Sequence, residues 1–280
     1  MVLSSTLATN AVVSGIGDII NLILIGYDKS ILKNNEIIKV TDGNFVNLIN
    51  GGHDAQGKES KKLDLDNLEN IIKKNPGVTS FAVTSQFSVR NSNHEIEARK
   101  LIKTMTNLPV TCSHELSLNL NGPKRAVTCV LNAKIIGIID HLIKNVELML
   151  KENNISAKLM IVKGDGSLIN TDIAKLKPVE TIMSGPAAAT IGASWLTNKK
   201  NAVISDIGGT TTDISLISIG TPNLNHDGSV IGNWKTMVEA LDIQTNGLGG
   251  DSEVSINLDK DDESNINIGP SRAVPLSQLA

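Results

Sequence analysis

Apolar residues recur along the chain in two periods, and their alternation lays out a series of strands and helices. Residues 19–25, Ile-Ile-Asn-Leu-Ile-Leu-Ile, form a nearly continuous β-prone run stopped by Gly26, as expected of a strand covered on both faces. Ahead of it, Ser4, Ser5 and Thr6 precede Leu7, Ala8, Ala11 and Val12, which predicts a capped short helix ending near Gly15. Behind it, Ile37, Ile38, Val40 and Val46 give weaker strand patterns up to the Gly51-Gly52 break, where antiparallel pairing is expected. Leu63, Leu65, Leu68, Ile71 and Ile72 fall at helical spacing, Pro76-Gly77 ends that helix, and residues 79–83 form the next strand. A second helix–strand unit follows: Ile96, Leu101, Ile102 and Met105 share one face over 94–106, and 108–112 is extended. Such alternation implies a parallel sheet. A long amphipathic helix over about 130–152, a strand at 158–162 and a turn at Gly164-Asp165-Gly166 complete this part.

Residues 185–193 are a helix rich in Gly and Ala, and Asn198-Lys199-Lys200-Asn201 is a polar turn, so a domain boundary is expected between 185 and 201. Next, strand 202–206 runs into Gly208-Gly209, and 213–219 alternates as its antiparallel partner. The tip reads Gly208-Gly209-Thr210-Thr211-Thr212. Glycines let backbone N–H groups approach phosphate oxygens, and three hydroxyls add donors without positive charge. Asp206 is placed to hold a hydrated Mg²⁺ bridging those phosphates, and Asp213 to order the threonines or a metal-bound water. An ordinary surface hairpin also uses Gly-Gly, but it does not require two aspartates and three threonines.

Weaker signals surround this one. Gly247-Leu248-Gly249-Gly250-Asp251-Ser252 is a second glycine-rich turn, able to reach a nucleotide or to serve only as a turn. Ser184-Gly185-Pro186 opens the small-residue helix, whose free N–H groups suit an anion as well as they suit close packing. Lys163-Gly164-Asp165-Gly166 follows a strand, where ligand loops lie in α/β sheets. The five histidines form no HxH or HxxxH pair, which favours capping or core roles over metal ligation.

Composition narrows the function classes. A length of 280 residues suggests two domains, and a formal charge of −3 without a basic stripe argues against nucleic acid. Aromatics make up 2% of the chain, so base-stacking platforms are nearly absent. Cys112 and Cys129 lack the spacing of a zinc site or redox pair and read as reduced packing residues. The N-terminus lacks the basic and apolar regions of a secretory signal, and the most apolar stretch carries Lys134, Asp140, His141, Lys144 and Glu147, so a cytoplasmic protein without a membrane span is expected.

With these segments assembled, the chain resembles the hydantoinase A/5-oxoprolinase family of the actin, sugar kinase and heat-shock chaperone ATPase superfamily. The resemblance rests on residues 5–11, Phe87-Ser88-Val89-Arg90-Asn91, Ser113-His114-Glu115-Leu116-Ser117, Lys163 to Gly166, Ser184 to Ala188, Asp206 to Asp213, Gly247 to Ser252, and Gly269-Pro270. It implies an α/β fold of RNase H-like (actin-like ATPase) domains, incomplete at both ends. Residues 1–197 would be most of domain one without its first phosphate hairpin, and 198–280 the start of domain two with the second. It implies ATP and Mg²⁺ as cofactors, and a small cyclic amide such as hydantoin, N-methylhydantoin or 5-oxoproline as substrate. It also leaves room for a hydantoinase B-like second subunit and an oligomer. Asp206 and Asp213 would carry the chemistry, with Gly208 to Thr212, Gly247, Gly249 to Ser252, Ser184 and Gly185 contacting nucleotide. A non-catalytic nucleotide-binding module and a small-molecule kinase are the alternatives, because full-length relatives carry an earlier Asp-x-Gly-Gly-Thr hairpin that this sequence lacks.

Overall fold

The structure, a computed structural model, describes residues 1–41, 45–75, 77–256 and 266–274. Pro76, expected to end a helix, lies outside them. The chain forms two compact units, one of residues 1–185 with 225–240 and one of residues 186–224 with 241–280.

Unit 1 is built on a four-stranded parallel sheet. In chain order its elements are β1 (Val2–Leu3), α1 (Leu7–Val13), β2 (Ile20–Ile25), α2 (Asn35–Val40), β3 (Val46–Ile49), α3 (Leu65–Lys74), β4 (Ser80–Ser85), α4 (Asn93–Thr106), β5 (Val110–Cys112), α5 (Gly122–Glu152), β6 (Met160–Val162), β7 (Leu168–Asn170) and α6 (Thr171–Leu176). The sheet runs β3-β2-β4-β5 with every pair parallel. The side-chain period of two splits β2 between two cores. Ile20, Leu22 and Leu24 join α1, α2 and α5 on one face, while Ile23 and Ile25 join α3 and α4 on the other. A second sheet runs β1-β6-β7, with β6 parallel to β1 and antiparallel to β7.

Two expectations are corrected here. Residues 35–40 are helical rather than extended: Asn34 caps them by accepting from the N–H groups of Glu36 and Ile37, and that cap outweighs the β-branched composition. The strand that does form there, β3, pairs with β2 in parallel and not antiparallel, because helix α2 carries the chain back across the sheet. Helix α4 packs Leu101, Ile102 and Met105 against the core as expected, but not Ile96. His94, Glu95, Ala98 and Ile102 are buried, whereas Ile96 is 48% exposed.

Helix α5 is 31 residues long and apolar enough in composition to cross a bilayer, but most of that stretch is buried within the protein as the central helix of unit 1. Segment 225–240 returns to it: Met237 N–H donates to Thr128 Oγ1 at 3.0 Å, and Lys124 Nζ donates to the Asp227 carbonyl.

The chain enters unit 2 within α7 (Ser184–Thr197). Strands β8 (Ala202–Ile207) and β9 (Thr212–Ser218) form an antiparallel hairpin, extended by β10 (Thr221–Pro222) and by strand Ile243–Asn246, both antiparallel to β9. Thr190 on α7 meets Ser215 on β9 through their hydroxyls at 2.8 Å. Strands Ser252–Ile256 and Ile266–Arg272 form a separate antiparallel pair.

Candidate functional site

The β8–β9 register puts Asp206 directly opposite Asp213 and Ile207 opposite Thr212. Residues 208–211 close the turn, with Gly208 N–H donating to the Thr211 carbonyl at 2.9 Å. Directly opposed residues share a face of the sheet, and like charges in that position repel unless a cation lies between them. Neither aspartate has a basic partner among the described residues. Asp213 Oδ1 accepts from Thr245 Oγ1 at 2.5 Å, which fixes its carboxylate and leaves Oδ2 without a hydrogen-bond partner among the described residues. Two opposed carboxylates, Asp206 exposed and Asp213 held by Thr245, without a basic partner among the described residues and beside a glycine turn, fit a divalent cation with oxygen ligands.

The glycine-rich turn at Gly247 to Ser252 packs onto the hairpin tip. Gly250 and Asp251 donate their N–H groups to the carbonyls of Gly208 and Gly209 at 2.9 and 2.8 Å. Thr212 Oγ1 donates to the Leu248 carbonyl at 2.7 Å, and Gly249 N–H donates to Ser252 Oγ at 2.9 Å. The backbones touch: a Cβ on Gly249 would lie 2.4 Å from the Gly209 oxygen. The N–H groups of Gly250 and Asp251 are therefore occupied in bracing the tip. Asp251 is further held by Arg272 Nη2 at 2.6 Å. Thr210 is exposed and Thr211 half-buried, so the tip itself faces outward.

Ser184 and Gly185 belong to unit 1, outside this junction. Ser184 Oγ donates to the Ser5 carbonyl at 3.1 Å and accepts the Ser5 N–H at 3.3 Å, so its hydroxyl anchors the N-terminal segment. Lys163 to Gly166 is the turn between antiparallel β6 and β7, with Lys163 paired to Asp165 and Glu180 at 2.9 and 3.3 Å. Burial works against the Lys163 ammonium, but its two carboxylate partners outweigh it and hold its pKa above the ordinary value.

A polar cluster not anticipated from the sequence lies at the carboxyl ends of β4 and β5. Fully buried Glu95 accepts from Ser85 N–H at 2.7 Å, Ser113 Oγ at 2.6 Å, and His114 through its N–H at 2.9 Å and Nδ1 at 2.6 Å. Burial pushes its pKa up, and the hydrogen bonds from His114 and Ser113 more than reverse that, leaving it depressed. Arg125, on the first turn of α5, is 4% exposed. Its Nη1 donates to the Ser117 and Asn119 carbonyls at 2.8 and 3.1 Å, and its Nη2 to Ser88 Oγ and Ser113 Oγ at 3.0 and 2.8 Å. One signal for it was present in the sequence: Lys124-Arg125 puts two cations at a helix N-terminus, where the helix dipole disfavours them. Glu95, Cys112 and His114 also lie close enough together to hold a metal. However, both Glu95 oxygens are already bonded and Arg99 Nε sits 3.2 Å from Cys112 Sγ, which opposes a cation. Cys112 and Cys129 are free and buried, and burial raises both thiol pKa values.

Residues 1–106 match the hydantoinase/oxoprolinase N-terminal region and residues 125–277 match hydantoinase/oxoprolinase. The chain belongs to the hydantoinase/oxoprolinase family. It is similar to caprolactamase subunit alpha of Pseudomonas jessenii, at 26% identity over 200 residues, which cover 70% of this chain and 28% of that one. Its fold matches the crystal structure of the ATP-dependent caprolactamase from that organism with a TM-score of 0.76 at 22% identity, over 96% of this chain and 41% of the other. It also matches the nucleotide-free structure of acetone carboxylase, described as catalysing ATP-dependent acetone carboxylation, with a TM-score of 0.75 at 19% identity, over 97% and 42%. The chain thus spans less than half the length of these relatives.

Proposed function

We propose that this chain handles ATP for an enzyme that opens a cyclic amide, and that the β8–β9 hairpin is its phosphate-binding element. The observation that carries this reading is the cross-strand pair Asp206 and Asp213 at the base of a glycine–threonine tip braced from behind by Gly249 to Asp251. Mg²⁺, when bound there, would neutralise phosphate charge and orient the phosphates. Asp206 is its ligand in this reading. Asp213, fixed by Thr245, holds a metal-bound water or the Thr hydroxyls in place. The outward-facing Gly209, Thr210 and Thr211 donate to phosphate oxygens. The lactam reading draws on the likeness to a caprolactamase, and a second subunit on that relative being named as an alpha subunit.

Titration calorimetry of the chain with ATP and Mg²⁺ is the first test, with micromolar to submillimolar binding expected and lost on Asp206→Asn. ADP release is then measured with caprolactam, hydantoin, N-methylhydantoin or 5-oxoproline, alone and with a hydantoinase B-like partner. Absence of stimulation by every lactam under both conditions sinks the cyclic-amide part. A phosphorylated product that accumulates would instead indicate a small-molecule kinase.

A further inference from the structure

Three Asn-Gly pairs occur in the chain, Asn50-Gly51, Asn121-Gly122 and Asn246-Gly247. In such a pair the glycine nitrogen can close onto the asparagine Cγ, because the glycine carries no Cβ to hinder the approach. The chemistry is common to all three, and the fold separates them.

Two of the pairs are restrained. Gly51 is buried at φ 143°, where a Cβ would lie 2.6 Å from Ile25 Cγ2, and the Asn50 carbonyl accepts the Asp64 N–H at 3.2 Å. Asn121 Oδ1 accepts the Lys124 N–H at 3.1 Å as the N-cap of α5, and a Cβ on Gly122 would meet the Tyr27 ring at 2.6 Å. Ring closure there must break a cap and move backbone against packed side chains. The third pair is unrestrained. Asn246 ends the strand Ile243–Asn246, and both it and Gly247 are exposed. Neither the Asn246 side-chain amide nor the Gly247 N–H has a hydrogen-bond partner among the described residues.

The setting of this pair gives its chemistry a structural effect. Asn246 pairs with Thr212 across the sheet, and the Leu248 carbonyl accepts from Thr212 Oγ1 at 2.7 Å. Gly247 is thus the single residue between two points fixed to Thr212. Beyond it, Gly250 and Asp251 donate to the hairpin tip, and Gly249 lies against the backbone of Gly209 with no room for a Cβ. A longer main chain at 246–247 cannot keep all of these contacts.

We propose that Asn246-Gly247 is a site of spontaneous modification whose isoaspartyl product releases the glycine-rich turn from the hairpin tip. The Gly247 nitrogen bonds to Asn246 Cγ, the Cγ–Nδ2 bond breaks, and the proton from the Gly247 nitrogen leaves with the amide as ammonia. Water then opens the imide. Attack at Cγ leaves an ordinary aspartate at 246, whereas attack at the main-chain carbonyl leaves the chain running through Cβ and Cγ, one atom longer. The site lies in unit 2 and does not rest on the nucleotide reading of the hairpin.

The whole chain is aged in mildly alkaline buffer and digested, and its three Asn-Gly peptides are followed by mass spectrometry. Methyl transfer from S-adenosylmethionine by an isoaspartyl methyltransferase, used as a reagent, reports the isoaspartyl form. The Asn246 peptide is expected to convert while Asn50 and Asn121 remain amides, and in guanidinium chloride all three should convert at comparable rates. Conversion at Asn246 no faster than at the other two in the folded chain, or selectivity that persists in guanidinium chloride, overturns the proposal. In the isoaspartyl fraction the amide protons of Gly250 and Asp251 are expected to lose their protection from hydrogen exchange; unchanged protection overturns the release. Asn246→Gln retains an amide but closes only a slower six-membered ring, and is expected to keep both its mass and its protection through the same ageing. Loss of protection in that variant places the cause elsewhere and overturns the link.

Discussion

Gly249 lies so close to Gly209 that a Cβ on the former would stand 2.4 Å from the carbonyl oxygen of the latter and 2.7 Å from that of Gly208. The obstacle is backbone on both sides, and no side chain can swing aside to relieve it. Gly249→Ala is therefore expected to part the glycine-rich turn from the hairpin tip and to weaken Mg²⁺–ATP binding by roughly tenfold, about 1.4 kcal/mol. Calorimetry checks it, with circular dichroism to show that unit 1 remains folded.

Asp206→Asn relieves a like-charge pair across β8 and β9 while removing the proposed metal ligand. Stability without nucleotide should stay the same or rise by about 0.5 kcal/mol, whereas the stabilisation that Mg²⁺–ATP confers in a thermal melt should disappear. A variant that still gains melting temperature with Mg²⁺–ATP contradicts the role given to Asp206.

Glu95 supplies a pH prediction. Its folded pKa lies below the ordinary glutamate value, so in the acid range the unfolded chain binds more protons than the folded one. The stability it contributes is complete above the ordinary glutamate value and is lost as pH falls through the depressed one. Glu95→Gln leaves the Ser85 and His114 N–H donors facing an amide and should cost about 3 kcal/mol near pH 7. In urea titrations the stability difference between the two proteins should shrink as pH falls through that range.

Thr128→Ala leaves the buried Met237 N–H without its acceptor. A loss of about 1–3 kcal/mol is expected, read as a lower urea midpoint. The same substitution should raise the protease sensitivity of segment 225–240 in the native protein.

Much of this fold was legible because its signals are local. The apolar run of β2 and the Asp-Ile-Gly-Gly-Thr hairpin each declare themselves within about eight residues. Helix α2 was misjudged because Ile37, Ile38 and Val40 are β-branched, although the buried Ile37 and Val40 are spaced i, i+3 and Asn34 stands ahead of them as a cap. The parallel direction of β3 depends on where a crossover returns the chain, which no short window contains. On α4, the apolar pattern pointed to Ile96, yet the inward face carries His94 and Glu95, whose partners Gly52, Glu59, Ser113 and His114 come from other elements. The cluster at Arg125 was hidden for the same reason: Ser88 and Ser113 approach it only after the sheet has formed. The hairpin was readable, but the way Gly249 to Asp251 clasps it was not.

The return of residues 225–240 to unit 1 sets an order for synthesis. Ile231, Thr236 and Val238 are buried, and Ile231 and Val238 join the core that α5 shares with β2. When residue 185 leaves the ribosome, that core still lacks its closing segment, which emerges only after the β8–β9 hairpin has been made. The nascent hairpin is thus a loop held between two pieces of a half-finished neighbour, and a chain stalled before residue 240 would expose the flank of α5 to chaperones.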